Sequence, residues 1–88
     1  MAVKRTRFFK SKQTALRPSQ KKALNKAVQT IIEKPKIGNP GEEEIEGYFF
    51  YDYSDNFGKM RISYTLFQTE EKADNILLIS LSRISIKI

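Results

Sequence analysis

The chain lacks cysteine, histidine and tryptophan, and it has only three prolines and four glycines in 88 residues. Without cysteine it forms no disulfide and has no thiolate nucleophile, which favours a reducing, cytoplasmic location. Without histidine it lacks the usual general base near neutral pH and the commonest zinc ligand. No apolar run approaches the roughly 18–20 residues that span a bilayer, and no apolar segment follows the charged N-terminus. We therefore expect no membrane span, no secretory signal, no metal and no small-molecule cofactor.

Carboxylates are scarce in the first part of the chain. Met1–Lys36 carries eleven Lys and Arg residues against Glu33 alone, whereas residues 37–88 carry five cations against nine carboxylates. The net charge of +6 therefore comes from the N-terminal part. Such a basic region is typical of proteins that bind DNA, RNA or the ribosome, although a solvated basic surface gives the same pattern. The candidate nucleic-acid contacts are Lys4, Arg5, Arg7, Lys10, Lys12, Lys21, Lys22, Lys26, Lys59 and Lys87.

Two aromatic, β-prone runs flank a turn-rich break at residues 54–58, which predicts a β-hairpin that pairs Tyr48–Tyr53 with Lys59–Gln68. On the second strand, alternation divides the side chains between two faces. One face, predicted to be core, holds Met60, Ile62, Tyr64 and Leu66, and the other holds Arg61, Ser63, Thr65 and Phe67. Arg61 is a mid-strand cation on the second face and thus the first candidate for function. The alternative is an ion-paired surface arginine that faces Asp52.

The N-terminal part is predicted to contain one edge strand and one main helix. Val3–Phe9 reads as the strand, since edge strands often carry charges, and Lys10–Arg17 is ambiguous between a loop and a single helical turn. A helix is predicted from Pro18 or Ser19, with Ser19 as a candidate N-cap and a stop at Pro35. Its apolar face consists of Ala23, Leu24, Ala27, Val28, Ile31 and Ile32.

The remaining segments complete the predicted fold. Residues 36–46 read as a loop with a solvated cluster of glutamates. Asn75–Leu81 is a nearly continuous apolar run, typical of a central strand, and the apolar residues then change parity, which predicts a bulge near Ser82–Arg83. The 88 residues are thus predicted to form a single α+β domain. Its small, mostly antiparallel sheet has about four strands, with one main amphipathic helix packed on it.

Several short motifs follow one another in a recognisable order: a Phe-Phe-Lys-Ser segment in which the basic first strand ends, then Ile32–Gly38, Ile45–Tyr48, Gly58–Tyr64 and Ile76–Arg83. In this order and spacing the chain resembles the RelE/ParE superfamily of bacterial type II toxin–antitoxin toxins over nearly its whole length. The resemblance implies a RelE-like fold and a toxin that is neutralised by a cognate antitoxin partner. RelE-like members cut mRNA in the ribosome without metal, so the resemblance also implies an endoribonuclease that inhibits growth.

The resemblance implies two catalytic residues. Arg61 matches the family's arginine on the third strand, and Arg83 matches the arginine that follows the last apolar strand. Both are expected to stabilise charge on the scissile phosphate, since a guanidinium presents a bidentate fork to it.

The chain departs from the nuclease members of the family at two places. Its second strand has no cation where those members often carry lysines or a Glu/His pair, and its last residues lack the family's tyrosine or histidine. Candidate substitutes are Lys59, Lys87, Tyr51, Tyr53 and Asp52. Two alternatives therefore stay open. One is ParE-like inhibition of DNA gyrase by protein contact, and the other is a non-enzymatic module that holds single-stranded nucleic acid by charge and by stacking on Tyr51, Tyr53 and Phe57.

Overall fold

The computed structural model describes residues 2–40, 48–68 and 74–84. In chain order the elements are β1 (Val3–Arg5), α1 (Arg7–Thr14), α2 (Pro18–Glu33), β2 (Asn39–Pro40), β3 (Tyr48–Asp55), β4 (Gly58–Gln68) and β5 (Asp74–Arg83). The strands form one sheet in the order β1-β5-β4-β3-β2. β1 runs parallel to β5, and the other neighbouring pairs are antiparallel. The predicted α+β class with a mostly antiparallel sheet is confirmed. No helix among the described residues is long and apolar enough to cross a membrane.

One face of the sheet is covered by the two helices. The buried apolar side chains of this core are Phe9, Leu24, Ala27, Val28, Ile31, Met60, Ile62, Tyr64, Ile76, Leu78 and Leu81. Along β4, the buried positions 60, 62 and 64 alternate with half-buried ones. The two-faced pattern predicted for this strand is therefore confirmed.

α2 follows its sequence signals, with one correction at its start. Pro18 is the first helical residue, and Arg17 rather than Ser19 occupies the N-cap position. Proline favours the first helical turn because its fixed φ suits the helix and its missing N–H has no partner there. The backbone N–H of Arg17 donates to the side chain of Gln20 at 2.9 Å. The helix ends at Glu33, just before the predicted proline stop.

The predicted strand Val3–Phe9 is wrong beyond Arg5, where the chain turns into α1. Thr6 makes this turn: its hydroxyl donates to the carbonyl of Ile79, and its side-chain oxygen accepts from the Phe9 N–H at 3.1 Å. A threonine that satisfies an N–H of the first turn is a favourable helix cap. The turn carries Phe9 into the core, where its side chain is fully buried.

The predicted hairpin of β3 and β4 and the predicted bulge are both present with changed positions, and the bulge lies in the pairing of β4 with β5. β3 extends two residues beyond its predicted end, and a two-residue turn at Asn56–Phe57 leads into β4. Gly58 follows the turn with a φ of 130°, a conformation that glycine adopts without strain. The bulge predicted near Ser82–Arg83 is instead at Ile79, because the register shifts between Ser63 and Tyr64 of β4. This shift keeps the apolar residues on both sides of the bulge in the core.

Tyr64 connects the sheet to the segment that follows α2. Its ring is fully buried, and its hydroxyl donates to the carbonyl of Pro35 at 2.8 Å and accepts from the Gly38 N–H at 3.0 Å. A Cβ on Gly38 would lie 2.5 Å from this hydroxyl, so the close approach requires glycine. Burial raises the pKa of Tyr64, which keeps the hydroxyl protonated as a donor.

We expect Tyr64→Phe to lower the free energy of unfolding by about 1–3 kcal/mol, because a buried N–H and a carbonyl lose their partner. Urea denaturation with an unchanged m-value measures this loss. Tyr51→Phe is the matched control, since it removes the same hydroxyl from a half-buried tyrosine of β3 outside these contacts. Equal, small losses in the two variants would contradict the role given to the Tyr64 hydroxyl.

Candidate nucleic-acid interface

The sheet face opposite to α1 and α2 is called the open face. It is built from the β3 and β4 residues that alternate with the core positions: Phe50, Asp52, Lys59, Arg61, Ser63 and Phe67. Directly opposed residues of antiparallel strands point to the same side of the sheet. Asp52 is opposed to Arg61 and Phe50 to Ser63, so the register brings these side chains together.

Arg61 is held on this face by two contacts. Its Nε and Nη2 donate to the two carboxylate oxygens of Asp52, at 2.8 and 3.1 Å. Its guanidinium carbon lies 4.3 Å from the centre of the Phe50 ring, within the range of a cation–π contact. The predicted alternative of an Arg61–Asp52 ion pair is therefore present. The aromatic ring and the carboxylate together fix the orientation of the guanidinium.

The charge of Asp52 is stabilised by this pair. The hydrogen bond from Arg61 lowers the pKa of Asp52, and this outweighs the opposite effect of partial burial. Lys59 lowers the pKa further through its charge. Asp52 is thus an ionised carboxylate between two cations at neutral pH.

Arg83 forms the second bidentate ion pair of the described residues. Its Nη1 and Nη2 donate to the two carboxylate oxygens of Asp55, at 3.2 and 3.1 Å. Asp55 also accepts from the Phe57 N–H at 2.8 Å and from the Gln20 amide at 3.4 Å. The Asp55 side chain is only 1% exposed, against 34% for Asp52. The hydrogen bond from Arg83 is the main cause of the lowered pKa of Asp55. Asp55 therefore joins the turn of the hairpin to both α2 and β5.

We expect acid to destabilise the fold through these two carboxylates. Because folding lowers both pKa values below the ordinary 3.8, their contribution is present above that pH and is lost as the pH falls through the folded-state values. Asp55→Asn should lower the free energy of unfolding at pH 7 more than Asp52→Asn, since Asp55 is more buried. For the same reason it should remove more of the further fall in this free energy that occurs at acid pH. Urea denaturation from about pH 7 down to about pH 2, through the lowered folded-state pKa values, measures this. An unchanged fall in this free energy at acid pH in Asp55→Asn would contradict it.

Arg61 and Arg83, the two predicted catalytic residues, lie on opposite faces of the sheet. Arg61 is opposed to Ser82 on β5, whereas Arg83 is opposed to Met60, a core residue on the helix-covered face. Adjacent positions on a strand point to opposite sides. The structure therefore does not bring the two guanidinium groups together on one phosphate, and each has its own carboxylate partner.

The predicted nucleic-acid contacts occupy several surfaces. Lys4 is exposed on β1 with its Nζ 5.8 Å from the Phe67 ring, which places it beside the open face. Lys59 is exposed on β4, two residues from Arg61. The exposed cations of the helices are Arg7, Lys10 and Lys12 on α1 and Lys21, Lys22 and Lys26 on α2. Lys87 lies outside the described residues, as do Glu42, Glu43, Glu44 and Glu46.

Arg5 differs from the other predicted cations because it is half-buried. Its Nε is buried and has no hydrogen-bond partner among the described residues. Together with Val3, Lys4 and Lys10 it lines an open cleft of about 400 Å³ beside β1. This cleft is a second concentration of positive charge. It lies at the β1 edge of the sheet, and β3 lies near the other edge.

Of the three aromatic residues predicted to stack on nucleobases, only Phe57 is well exposed. Its ring is 56% exposed at the hairpin turn, with the Arg17 and Arg83 guanidinium carbons 5.6 and 6.0 Å from its centre. Tyr51 and Tyr53 are half-buried beside α2. Burial of the Tyr53 ring, with Asp55 nearby, raises its pKa to about 12. The open face instead offers Phe50 and Phe67.

Sequence reasoning missed the stacking of Arg61 on Phe50 and the contacts of Asp55 with Arg83, Gln20 and the Phe57 N–H. The alternation that placed Arg61 outward also places Phe50 beside it, so the hairpin register was the available signal. The Arg83–Asp55 pair depends on the register across three strands, including the bulge, and no local pattern reveals it. Within the described ranges, no group of three or more Asp, Glu, His or Cys side chains is placed to hold a metal ion.

Comparison with known proteins gives two findings. A family model described as ParE-like toxin of type II bacterial toxin–antitoxin system matches residues 3–83. Among solved structures, the chain is similar to the crystal structure of the intact E. coli RelBE toxin–antitoxin complex, with a TM-score of 0.69 and 15% identity over 97% of this chain and 98% of the matched chain. At this identity the likeness concerns the fold. A search of curated proteins finds no significant match.

Proposed function

This chain belongs to the family of ParE-like toxins of type II bacterial toxin–antitoxin systems, and we propose that it inhibits growth by cleaving mRNA at the ribosome, as a metal-independent endoribonuclease. The observation that carries this proposal is the arrangement of the open face. Arg61 lies stacked on Phe50 there, two residues from the exposed Lys59. A stacked guanidinium beside an ammonium group suits a single-stranded RNA. The phosphates of such an RNA form ion pairs with the cations, and its bases stack on aromatic rings.

In the proposed reaction, the RNA 2′-hydroxyl loses its proton to water and bonds to the adjacent phosphorus, while the P–O5′ bond breaks and the leaving 5′-oxygen takes up a proton from water. The products are a 2′,3′-cyclic phosphate and a 5′-hydroxyl, and negative charge develops on the non-bridging phosphate oxygens during the step. Arg61 and Lys59 would stabilise this charge from the open face. Stabilisation of developing charge by fixed groups is usually the largest single contribution to catalysis. Asp52 lies beside Arg61, where the phosphate would bind, but the lowered pKa of its carboxyl makes it a weak proton acceptor. Charge stabilisation is therefore the role that we assign to this group of residues. The sequence prediction of a catalytic Arg83 remains a prediction, to be tested beside Arg61.

The basic helices and β1 supply the remaining charge for the proposed target. Lys4 adjoins the open face, and the exposed lysines and arginines of α1 and α2 lie on the helix side of the sheet. Contacts on both sides of the domain fit a large polyanionic surface such as ribosomal RNA better than a short oligonucleotide. The site of action would then be the cytoplasm.

We also propose that this toxin is held inactive by a cognate antitoxin. The solved structure to which the chain is similar is itself a toxin–antitoxin complex, and the matched family is defined by such systems. Co-expression with the cognate antitoxin should restore growth, and the two proteins should copurify.

Inhibition of DNA gyrase by protein contact is the second candidate. It is favoured by the opposite placement of Arg61 and Arg83, each with a carboxylate on its fork. A toxin that acts by contact needs no pair of cations that converge on one phosphate. In this case the exposed Phe57 with its flanking arginines would be a candidate contact point.

Inducible expression in a bacterium, with growth, mRNA integrity and plasmid supercoiling followed together, tests these proposals. Growth arrest with cleaved mRNA and normal supercoiling is the result expected for the endoribonuclease. Arrest with intact mRNA and reduced supercoiling would overturn it in favour of the gyrase inhibitor. Absence of arrest would contradict both and would favour the non-enzymatic nucleic-acid-binding module.

A further inference from the structure

Asp52 occupies the part of Arg61 that a phosphate would use. The carboxylate accepts two parallel hydrogen bonds from the guanidinium, at 2.8 and 3.1 Å. A phosphate binds a guanidinium through the same two-pronged geometry, so the carboxylate and a phosphate compete for the same N–H groups. In this state the fork of Arg61 already has an anionic partner.

The two bidentate ion pairs of the described part of the chain differ in how easily they exchange partners. Asp55 is 1% exposed and accepts from Gln20 and the Phe57 N–H as well as from Arg83, so its removal would leave several groups without a partner. The Asp52 and Arg61 side chains are 34% and 40% exposed. An ion pair with this exposure contributes little free energy and can be replaced by another anion from solvent.

The Phe50 ring keeps Arg61 in place when the carboxylate leaves. The guanidinium stacks at 4.3 Å from the ring centre, on a contact that does not use the N–H groups directed at Asp52. A phosphate that displaces Asp52 therefore meets a guanidinium that is already oriented. Lys59 lies near enough to Asp52 to stabilise its charge, so it can also approach the incoming phosphate.

We propose that Asp52 is an intramolecular competitor for the RNA phosphate at Arg61, and that it limits how tightly the open face holds RNA. The inference rests on the proposed function, because it takes single-stranded RNA as the ligand. It assigns Asp52 a role in substrate affinity, distinct from charge stabilisation during the reaction. RNA binding then requires the Arg61 fork to exchange a carboxylate for a phosphate.

Binding of a single-stranded 2′-O-methyl RNA, which lacks the nucleophilic hydroxyl, separates affinity from cleavage. Asp52→Asn is expected to bind it about three- to fivefold more tightly than the wild-type protein, since the released pair is exposed and such a pair is worth up to about fivefold in affinity. In the wild-type protein the displaced carboxylate takes up a salt cation while the phosphate releases one, whereas in Asp52→Asn only the release remains. The slope of log K against log salt should therefore be steeper by about 0.7 in the variant.

Two further variants decide the cause of the gain. Glu33→Gln removes one negative charge from the exposed end of α2, and should tighten binding less than twofold with an unchanged salt slope. In a protein that already carries Arg61→Ala, the added Asp52→Asn change should tighten RNA binding no more than Glu33→Gln does. A gain in Asp52→Asn no larger than in Glu33→Gln, or one that persists without Arg61, would overturn the competitor role. Unchanged binding in Arg61→Ala would overturn both this role and the proposed RNA site, whereas weakened binding would leave the RNA site supported.

Discussion

Arg61→Ala is expected to abolish growth arrest and to reduce mRNA cleavage by about 10²–10³-fold, the usual loss when one fixed donor to a developing charge is removed. The fold should persist, because an exposed ion pair contributes only about 0–1 kcal/mol. Arg61→Lys should recover little of the activity, since an ammonium group lacks the planar fork and the stacking on Phe50. Growth curves and cleavage assays with matched protein levels measure both variants.

Arg83→Ala is the matched comparison for Arg61→Ala. Its guanidinium has the same chemistry and a similar bidentate carboxylate, but it lies on the helix-covered face. A smaller loss of cleavage than in Arg61→Ala is expected from that position. Equal losses would restore Arg83 to the active site that the family resemblance implies. Full growth arrest by Arg61→Ala would remove Arg61 from the mechanism and, with it, the open face as the site of reaction.

The hairpin and α2 could be predicted because their signals are local. Alternation in Gly58–Gln68 separates core from open-face residues, and the three- and four-residue steps in Pro18–Glu33 define one apolar helix face. The Arg61–Asp52 pair followed from the same hairpin register. These features depend on residues that are close in sequence, where side-chain period and turn chemistry decide the structure.

The features that could not be predicted depend on contacts between distant segments. Thr6 ends β1 because its hydroxyl reaches the carbonyl of Ile79, more than seventy residues away. The bulge lies at Ile79 because β4 and β5 must both direct apolar residues at the helices. The position of this bulge also decides which face Arg83 occupies. A sequence match at Arg83 therefore gives the residue type without its placement.

The largest loss of stability is expected from Phe9→Ala. The Phe9 side chain is fully buried in the core formed by the helices and the sheet. Replacement of a buried phenylalanine by alanine costs about 3–5 kcal/mol, because it removes apolar contacts and leaves a cavity. An eight-residue helix is also too short to be stable without packing, so α1 depends on this side chain for its position. For a domain of this size the loss corresponds to a fall in Tm of at least about 12 °C.

Phe8→Ala is the matched control for this prediction. Phe8 is the preceding residue of the same helix, has the same side chain and is 60% exposed, with Lys12 near its ring. Its replacement should change the free energy of unfolding by no more than about 0.5 kcal/mol. Thermal and urea denaturation of the two variants therefore compare one substitution at two adjacent positions. A larger loss in Phe8→Ala than in Phe9→Ala would place α1 in the other rotation, with Phe8 inward. Negligible loss in both would return residues 7–9 to the edge strand that their sequence suggests. A large loss in Phe9→Ala alone would show that packing of Phe9 holds α1 on the sheet, in the orientation that the Thr6 turn after β1 gives it.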